Sequence, residues 1–182
     1  PTGLNRTYVI EDPQAGKLAG SYSLLPIRLR LNRREIKASL VTNVNTHPDY
    51  RGRGLYSQVA RYALGHEQEF QTPVSLGMPS HREYMKVGGS AMCKLPFLVK
   101  KNCQLRPHKC RQAELFDGRF DSLFARIAER FSFIVLKDHR FMNWRVVYRP
   151  DQHYTRFVYE DGPHLKGYIV LKQFDNNLSL IH

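Results

Sequence analysis

The segment Val41–Leu64 constrains the fold of this chain more than any other, because three local signals follow one another without a gap. Val41-Thr42-Asn43-Val44-Asn45-Thr46 is rich in β-branched residues and alternates as a strand does. His47-Pro48-Asp49-Tyr50 stops it, since proline brings no amide to a ladder and biases the preceding residue toward extended geometry. Arg51-Gly52-Arg53-Gly54 comes next, and Leu55–Leu64 then sets Leu55, Val59, Tyr62 and Ala63 on one helical face. A helix start carries amides without acceptors and the positive end of the macrodipole. Glycines there let a ligand approach the backbone, and flanking arginines pair with phosphate oxygens. The segment reads as a diphosphate cradle; on these residues alone, an ordinary turn between strand and helix stays open beside it. It is not a Walker loop, because no Gly-Lys-Ser/Thr closes it. Nor is it the dinucleotide fingerprint, which needs three spaced glycines.

The chain before the corner predicts an antiparallel meander. Thr7–Ile10 is a short strand closed by the turn-like run Glu11–Gly16. In Lys17–Leu31, the residues Leu25, Ile27, Leu29 and Leu31 alternate against Pro26, Arg28 and Arg30, predicting one buried face and one basic, wet face. Pro26 predicts an edge position or a bulge. Asn32–Glu35 turns the chain, and Ile36–Thr46 returns as the partner strand.

After the helix, Pro73–Met78 reads as a strand, Pro79–Gly88 as a short helix and Met92–Val99 as a further strand. The apolar pattern lapses between Lys100 and Gly118, a basic stretch read as a connector. Phe120, Leu123, Phe124, Ile127, Ala128 and Phe131 then recur at helical spacing, with the aromatic stripe read as core. Ser132–Leu136 is a strand, Phe141–Val147 a helix, and Thr155–Glu160, Gly167–Phe174 and Leu178–His182 are strands.

Composition narrows the class. The 182 residues are 42% apolar and 12% aromatic, which fits a folded globular protein with a real core. No apolar run is long enough to cross a bilayer, so no membrane partner is expected. Cys93, Cys103 and Cys110 form an odd set without a Cys-x-x-Cys pair, and even with His108 between two of them the spacing is no finger or ribbon. Reduced thiols, no metal and a cytoplasmic location are expected. The net charge of +12 attracts polyanions: nucleic acid, an anionic membrane surface or a phosphate-rich small ligand. Nucleic acid is disfavoured as a partner, because only charge speaks for it and no helix-turn-helix, zinc finger or RNP-type motif is present.

Arg51-Gly52-Arg53-Gly54-Leu55-Tyr56, preceded by Thr46-His47-Pro48-Asp49-Tyr50, resembles the Arg/Gln-x-x-Gly-x-Gly/Ala signature of the GNAT superfamily of acyltransferases. Arg51 and Gly54 match, whereas Tyr56 stands where glycine or alanine is usual. The resemblance implies that the amides of this loop hold the pyrophosphate of acetyl-CoA, with Arg51, Gly52, Arg53, Gly54, Leu55 and Tyr56 as its binding residues. Asn45 and Thr46 would then offer backbone groups to the pantetheine arm. Tyr84-Met85-Lys86-Val87-Gly88-Gly89 is similar to the superfamily's Tyr-x-Lys-x-Gly-Phe stretch, with Gly89 replacing the aromatic, and this implies that Tyr84 protonates the leaving thiolate. Family members often carry a glutamate on the strand before the corner. Here Asn43 and Asn45 stand on that strand, and His47 and His81 are the titratable candidates for a base.

Lys137-Asp138, Phe141-Met142-Asn143-Trp144-Arg145 and Gly167-Tyr168-Ile169-Val170 resemble the second half of tandem-GNAT proteins. The expected organisation is a GNAT-like acyl-CoA-binding domain at 1–99, a connector at 100–118 and an incomplete second GNAT-like unit at 119–182, in a chain cut short. The fold class implied is mixed α/β, with a mostly antiparallel central sheet flanked by helices. The activity implied is N-acetyl transfer from acetyl-CoA to an amine-bearing acceptor by direct attack. A non-catalytic GNAT-like module that binds coenzyme A or a polyanion is the alternative.

Overall fold

Strand β2 (Lys17–Leu31) is the axis of the N-terminal unit, and its period-two pattern explains why. Leu25, Ile27 and Leu29 are buried, and β2 sits between β1 (Arg6–Asp12) and β3 (Arg34–Thr46), antiparallel to both. The computed structural model describes residues 5–78, 82–93, 110–174 and 177–180, and within them the chain divides into two compact units, residues 1–97 and 98–182.

Pro26 departs from the sequence expectation. It sits on a strand paired on both sides and faces Ser39 of β3 in unbroken register. The β1 ladder stops at Leu24, so the missing amide costs β1 nothing. The bulge lies elsewhere, where Ser21 faces Asn45 and Ser23 faces Thr42, leaving Asn43 and Val44 opposite Tyr22 alone. Asn43 takes φ +48°, a conformation that asparagine tolerates better than most residues.

A 3₁₀ turn at Pro48–Tyr50 leads to helix α1 (Leu55–His66). Its buried face is Val59, Ala60 and Ala63, with Tyr56 packed partly against them, on a cluster containing Tyr22 and Leu24. Tyr62 is instead 60% exposed, its ring set against Tyr8 and His66. At 100° per residue the stripe is centred between Val59 and Ala60, and Tyr62 falls at its margin. Beyond a 3₁₀ turn at Glu67–Phe70, β4 is only Ser75–Leu76, parallel to β3 at Ser39 and Leu40. The expected helix at 79–88 is a 3₁₀ segment, Arg82–Val87, and 79–81 lie outside the described residues. The strand expected at Met92–Val99 falls mostly outside them too.

In the C-terminal unit the expected connector ends in a strand. β5 (Cys110–Gln112) pairs antiparallel with β7 (Thr155–Asp161), and the sheet runs β5-β7-β8-β9, with β8 at His164–Phe174 and β9 at Asn177–Leu180. Ala113 and Phe116, also inside that stretch, are buried core. Residues 100–109 lie outside the described ones. Helix α2 (Gly118–Ala128) starts at Asp117, whose carboxylate accepts from the Arg119 amide at 2.9 Å, and buries Phe120, Leu123, Phe124 and Ala128. The helix ends before Phe131, which is half exposed. A short strand β6 (Phe133–Leu136) precedes α3 (His139–Val146), whose Met142 and Val146 complete the core with Val158, Leu165 and Val170.

Candidate functional site

The corner between β3 and α1 is braced by its own side chains. The His47 amide donates to the Ala19 carbonyl at 3.0 Å, tying the end of β3 to β2. His47 Nδ1 accepts from the Asp49 amide at 3.3 Å, so this histidine caps the turn. Tyr50 Oη donates to Asp12 Oδ2 at 2.6 Å, pinning the turn to the end of β1. That bond, with the Ala15 and Gln14 amides behind it, holds the Asp12 carboxyl below its ordinary value. The Arg53 guanidinium donates to the Asp49 carbonyl at 3.0 Å and lies 4.9 Å from the Tyr50 ring centroid, a cation–π contact. Arg51 Nε donates to the Thr46 carbonyl at 3.4 Å.

Two glycines give the corner its shape. Gly52 and Gly54 have φ of +77° and +73°, the left-handed region where a Cβ is strained. Nothing lies within 4 Å of where either Cβ would stand, so backbone conformation, not crowding, selects glycine. Gly54 is the N-cap of α1 and has no side chain to satisfy the first turn. The first amide to find a backbone acceptor is Gln58, bonded to the Gly54 carbonyl at 3.2 Å. Among the described residues, the amides of Gly52 through Ser57 have no protein acceptor. Unclaimed donors, an open cradle and a helix dipole together suit an anion.

These amides border a cavity of about 370 Å³ lined by Thr46, Tyr50, Arg51, Gly52, Gly54, Leu55, Tyr56, Ser57, Glu83 and Lys86. Six of the nine site residues expected from the sequence meet here. Arg53 is turned to the corner, Asn45 pairs with Ser21 in the strand, and Tyr84 does not line the cavity. Tyr56, the departure from the signature, leans its ring on Tyr22 at 6.3 Å between centroids while still bordering the cavity. Burial, then the Glu83 carboxylate, raises its phenol above the ordinary value. A coenzyme A diphosphate fits this donor set, with Arg51 supplying charge.

Four wall residues escaped the sequence reading as ligand contacts: Tyr50, Ser57, Glu83 and Lys86. Glu83 and Lys86 pair at 2.7 Å, and Arg61 holds the Lys86 carbonyl at 3.1 Å. Both flank Tyr84 in the downstream motif, which was the available signal. Tyr84 is half-buried, and a Cβ on Gly89 would stand 2.8 Å from its ring. That proximity is the physical reason for glycine where the superfamily pattern has an aromatic. His81 lies outside the described residues. Beyond Leu40, no described strand pairs with the β4-side edge of β3. Among the described residues no group of His, Cys, Asp and Glu could hold a metal, and Cys93 and Cys110 are free.

Residues 2–89 match the family model described as an acetyltransferase (GNAT) domain. The N-terminal unit belongs to the GNAT family. Among solved structures, a probable N-acyltransferase of unknown function from Enterococcus faecalis has a TM-score of 0.67 at 12% identity, covering 98% of this chain and 47% of that one. A GCN5-related N-acetyltransferase from Anabaena variabilis has 0.62 at 15%, covering 96% and 46%. The N-myristoyltransferase of Saccharomyces cerevisiae, solved with myristoyl-CoA, has 0.60 at 12%, covering 87% and 45%. At these identities the likeness is one of fold, and it agrees with the mixed, antiparallel-dominant sheets and flanking helices expected from the sequence. This chain spans about half the length of those structures. No curated protein matches it. Among the described residues of the GNAT-bearing chain, no helix is long and apolar enough to cross a membrane.

Proposed function

We propose that this protein is an acyl-CoA-dependent N-acyltransferase that moves an acetyl group from acetyl-CoA to an amine. The run of unclaimed amides from Gly52 to Ser57 carries the reading, because it offers several donors to a diphosphate beside an open cavity. Acetyl-CoA supplies a thioester that an amine can attack directly. Gly52 to Tyr56 and Arg51 bind its diphosphate, while Asn45 and Thr46, at the end of the β3 edge, orient the pantetheine arm. Tyr84, on the segment that also presents Glu83 and Lys86, donates the proton that the departing sulfur takes up. We assign 1–99 to acyl-CoA binding, 100–118 to a connector and 119–182 to a second GNAT-like unit, a reading supported by fold matches that extend over nearly the whole chain.

Calorimetry with coenzyme A and with pantetheine, which lacks the diphosphate, tests the binding half. Coenzyme A is expected to bind far more tightly; equal affinity, or none for either, ends the reading. Thiol release over a panel of amines tests the chemistry. Tyr84→Phe is expected to lower turnover by about 10²-fold, as for a positioned general acid, with coenzyme A affinity unchanged. A second reading, binding without turnover, draws on Tyr84 standing outside the cavity wall. It predicts coenzyme A affinity with no thiol released for any amine.

A further inference from the structure

The β2–β3 hairpin ends in a basic tip that the cofactor site does not use. From Arg28 to Lys37 it carries five cations and one carboxylate. Glu35 is taken by Arg28, at 3.3 Å. Among the described residues Arg30, Arg33, Arg34 and Lys37 have no ion pair or hydrogen bond from their side chains, and the last three are exposed. The tip and the Gly52–Gly54 corner stand at opposite ends of β3. Thirteen residues at about 3.3 Å each separate them by roughly 40 Å, too far to share a ligand of coenzyme A size.

The turn itself supplies the second observation. Leu31 pairs with Arg34, so the loop is the two residues Asn32 and Arg33, with φ of +46° and +67°. A two-residue turn of this hand favours Asn-Gly. Asparagine is in place, but the glycine position holds an arginine in a left-handed conformation that its Cβ disfavours. Strain kept at an exposed position, where the easier residue would bring no charge, points to use of that charge.

We propose that this hairpin docks on the phosphate backbone of a nucleic-acid duplex, without reading its sequence. The exposed Arg33, Arg34 and Lys37 lie within five residues of one another at the hairpin end, so they can meet neighbouring phosphates of one duplex. Four of the hairpin's five cations are arginines, whose forked donors match phosphate oxygens. No aromatic lies between Arg28 and Lys37 to stack on bases, so sequence independence follows. A lipid surface calls for apolar anchors beside the charge, and at this tip only Leu31 is an exposed large apolar side chain. The docking does not depend on the acyltransferase reading.

Fluorescence anisotropy of a labelled mixed-sequence duplex, titrated with the full chain across a range of salt, tests this. Arg33→Gly is expected to hold or raise the thermal midpoint while weakening duplex binding severalfold and flattening the log K against log salt slope by about 0.9. The triple change Arg30→Gln, Arg33→Gly and Arg34→Gln is expected to weaken it by tenfold or more, while Arg130→Gln on the C-terminal unit leaves it unchanged. Duplex affinity unaltered by Arg33→Gly and by the triple change overturns the proposal. So does displacement of the duplex by saturating coenzyme A, which would put the polyanion at the β3–α1 corner. Tighter binding to phosphatidylserine vesicles or polyglutamate, with the same loss in Arg33→Gly, overturns the choice of nucleic acid.

Discussion

Arg6 and Glu67, 61 residues apart, form a two-pronged ion pair: Nε and Nη2 of Arg6 each donate at 2.8 Å, one to either carboxylate oxygen. Glu67 is 3% exposed, and its Oε2 also accepts from the hydroxyls of Ser39 and Thr72. One carboxylate thus ties β1, β3 and the approach to β4 to the end of α1. Removing it leaves Arg6 partly buried without its counter-charge. Glu67→Ala is expected to cost about 3 kcal/mol, measured by urea unfolding, the low end for a broken buried pair because Arg6 retains some solvent access.

The same residue sets an acid limit. Burial pushes the Glu67 carboxyl up, but the bonds from Ser39, Thr72 and Arg6 together outweigh it and leave it below the ordinary 4.5. A carboxyl depressed in the folded state adds stability that is complete above its unfolded value and is lost as pH falls through its folded value. Stability is therefore expected to hold above about pH 4.5 and to decline below it, and Glu67→Gln should flatten that decline. Unfolding midpoints across pH 3 to 6 check both.

Tyr50 couples the hairpin turn at Asp12 to the β3–α1 corner. Tyr50→Phe deletes the 2.6 Å bond and is expected to return the Asp12 carboxyl toward 3.8, followed by carboxyl NMR titration. Loosening the corner should weaken coenzyme A binding about fivefold, equivalent to one hydrogen bond of ~1 kcal/mol.

Glu83 puts a negative group in the wall of the β3–α1 cavity, where Lys86 holds it. Glu83→Gln releases Lys86 to an incoming phosphate and is expected to tighten coenzyme A by up to about fivefold, the scale of an exposed ion pair. Lys86→Met should weaken it. Calorimetry at two salt concentrations reads both, with the larger difference at low salt.

Asn143 closes a backbone gap in the C-terminal unit, donating from Nδ2 to the Phe116 carbonyl and accepting at Oδ1 from the Phe116 amide, both at 2.8 Å. Asn143→Ala strands two buried backbone groups and is expected to cost about 1–3 kcal/mol for each. Thermal unfolding of the full chain measures it.

The meander, the corner and α1 could be read from the sequence because their signals are local. Pro48 ends β3, Gly52 and Gly54 permit left-handed backbone, and β-branched residues alternate along the strand over a few neighbouring positions. The amide cradle belongs to the same class, since a helix start exposes its donors whatever surrounds it. Tertiary structure decided what depends on distant partners. Cys110-Arg111-Gln112 has no apolar period and became a strand only because β7 lies beside it. Nothing near Glu67 in the sequence marks it as a junction; Arg6 and Ser39 make it one, and Tyr84 matched a motif yet stands beside, not in, the cavity that Glu83 and Lys86 wall. Proline and glycine restrict dihedrals within one or two residues of themselves. A side chain's burial and partners are settled by whichever segment packs against it, which can be sixty residues away.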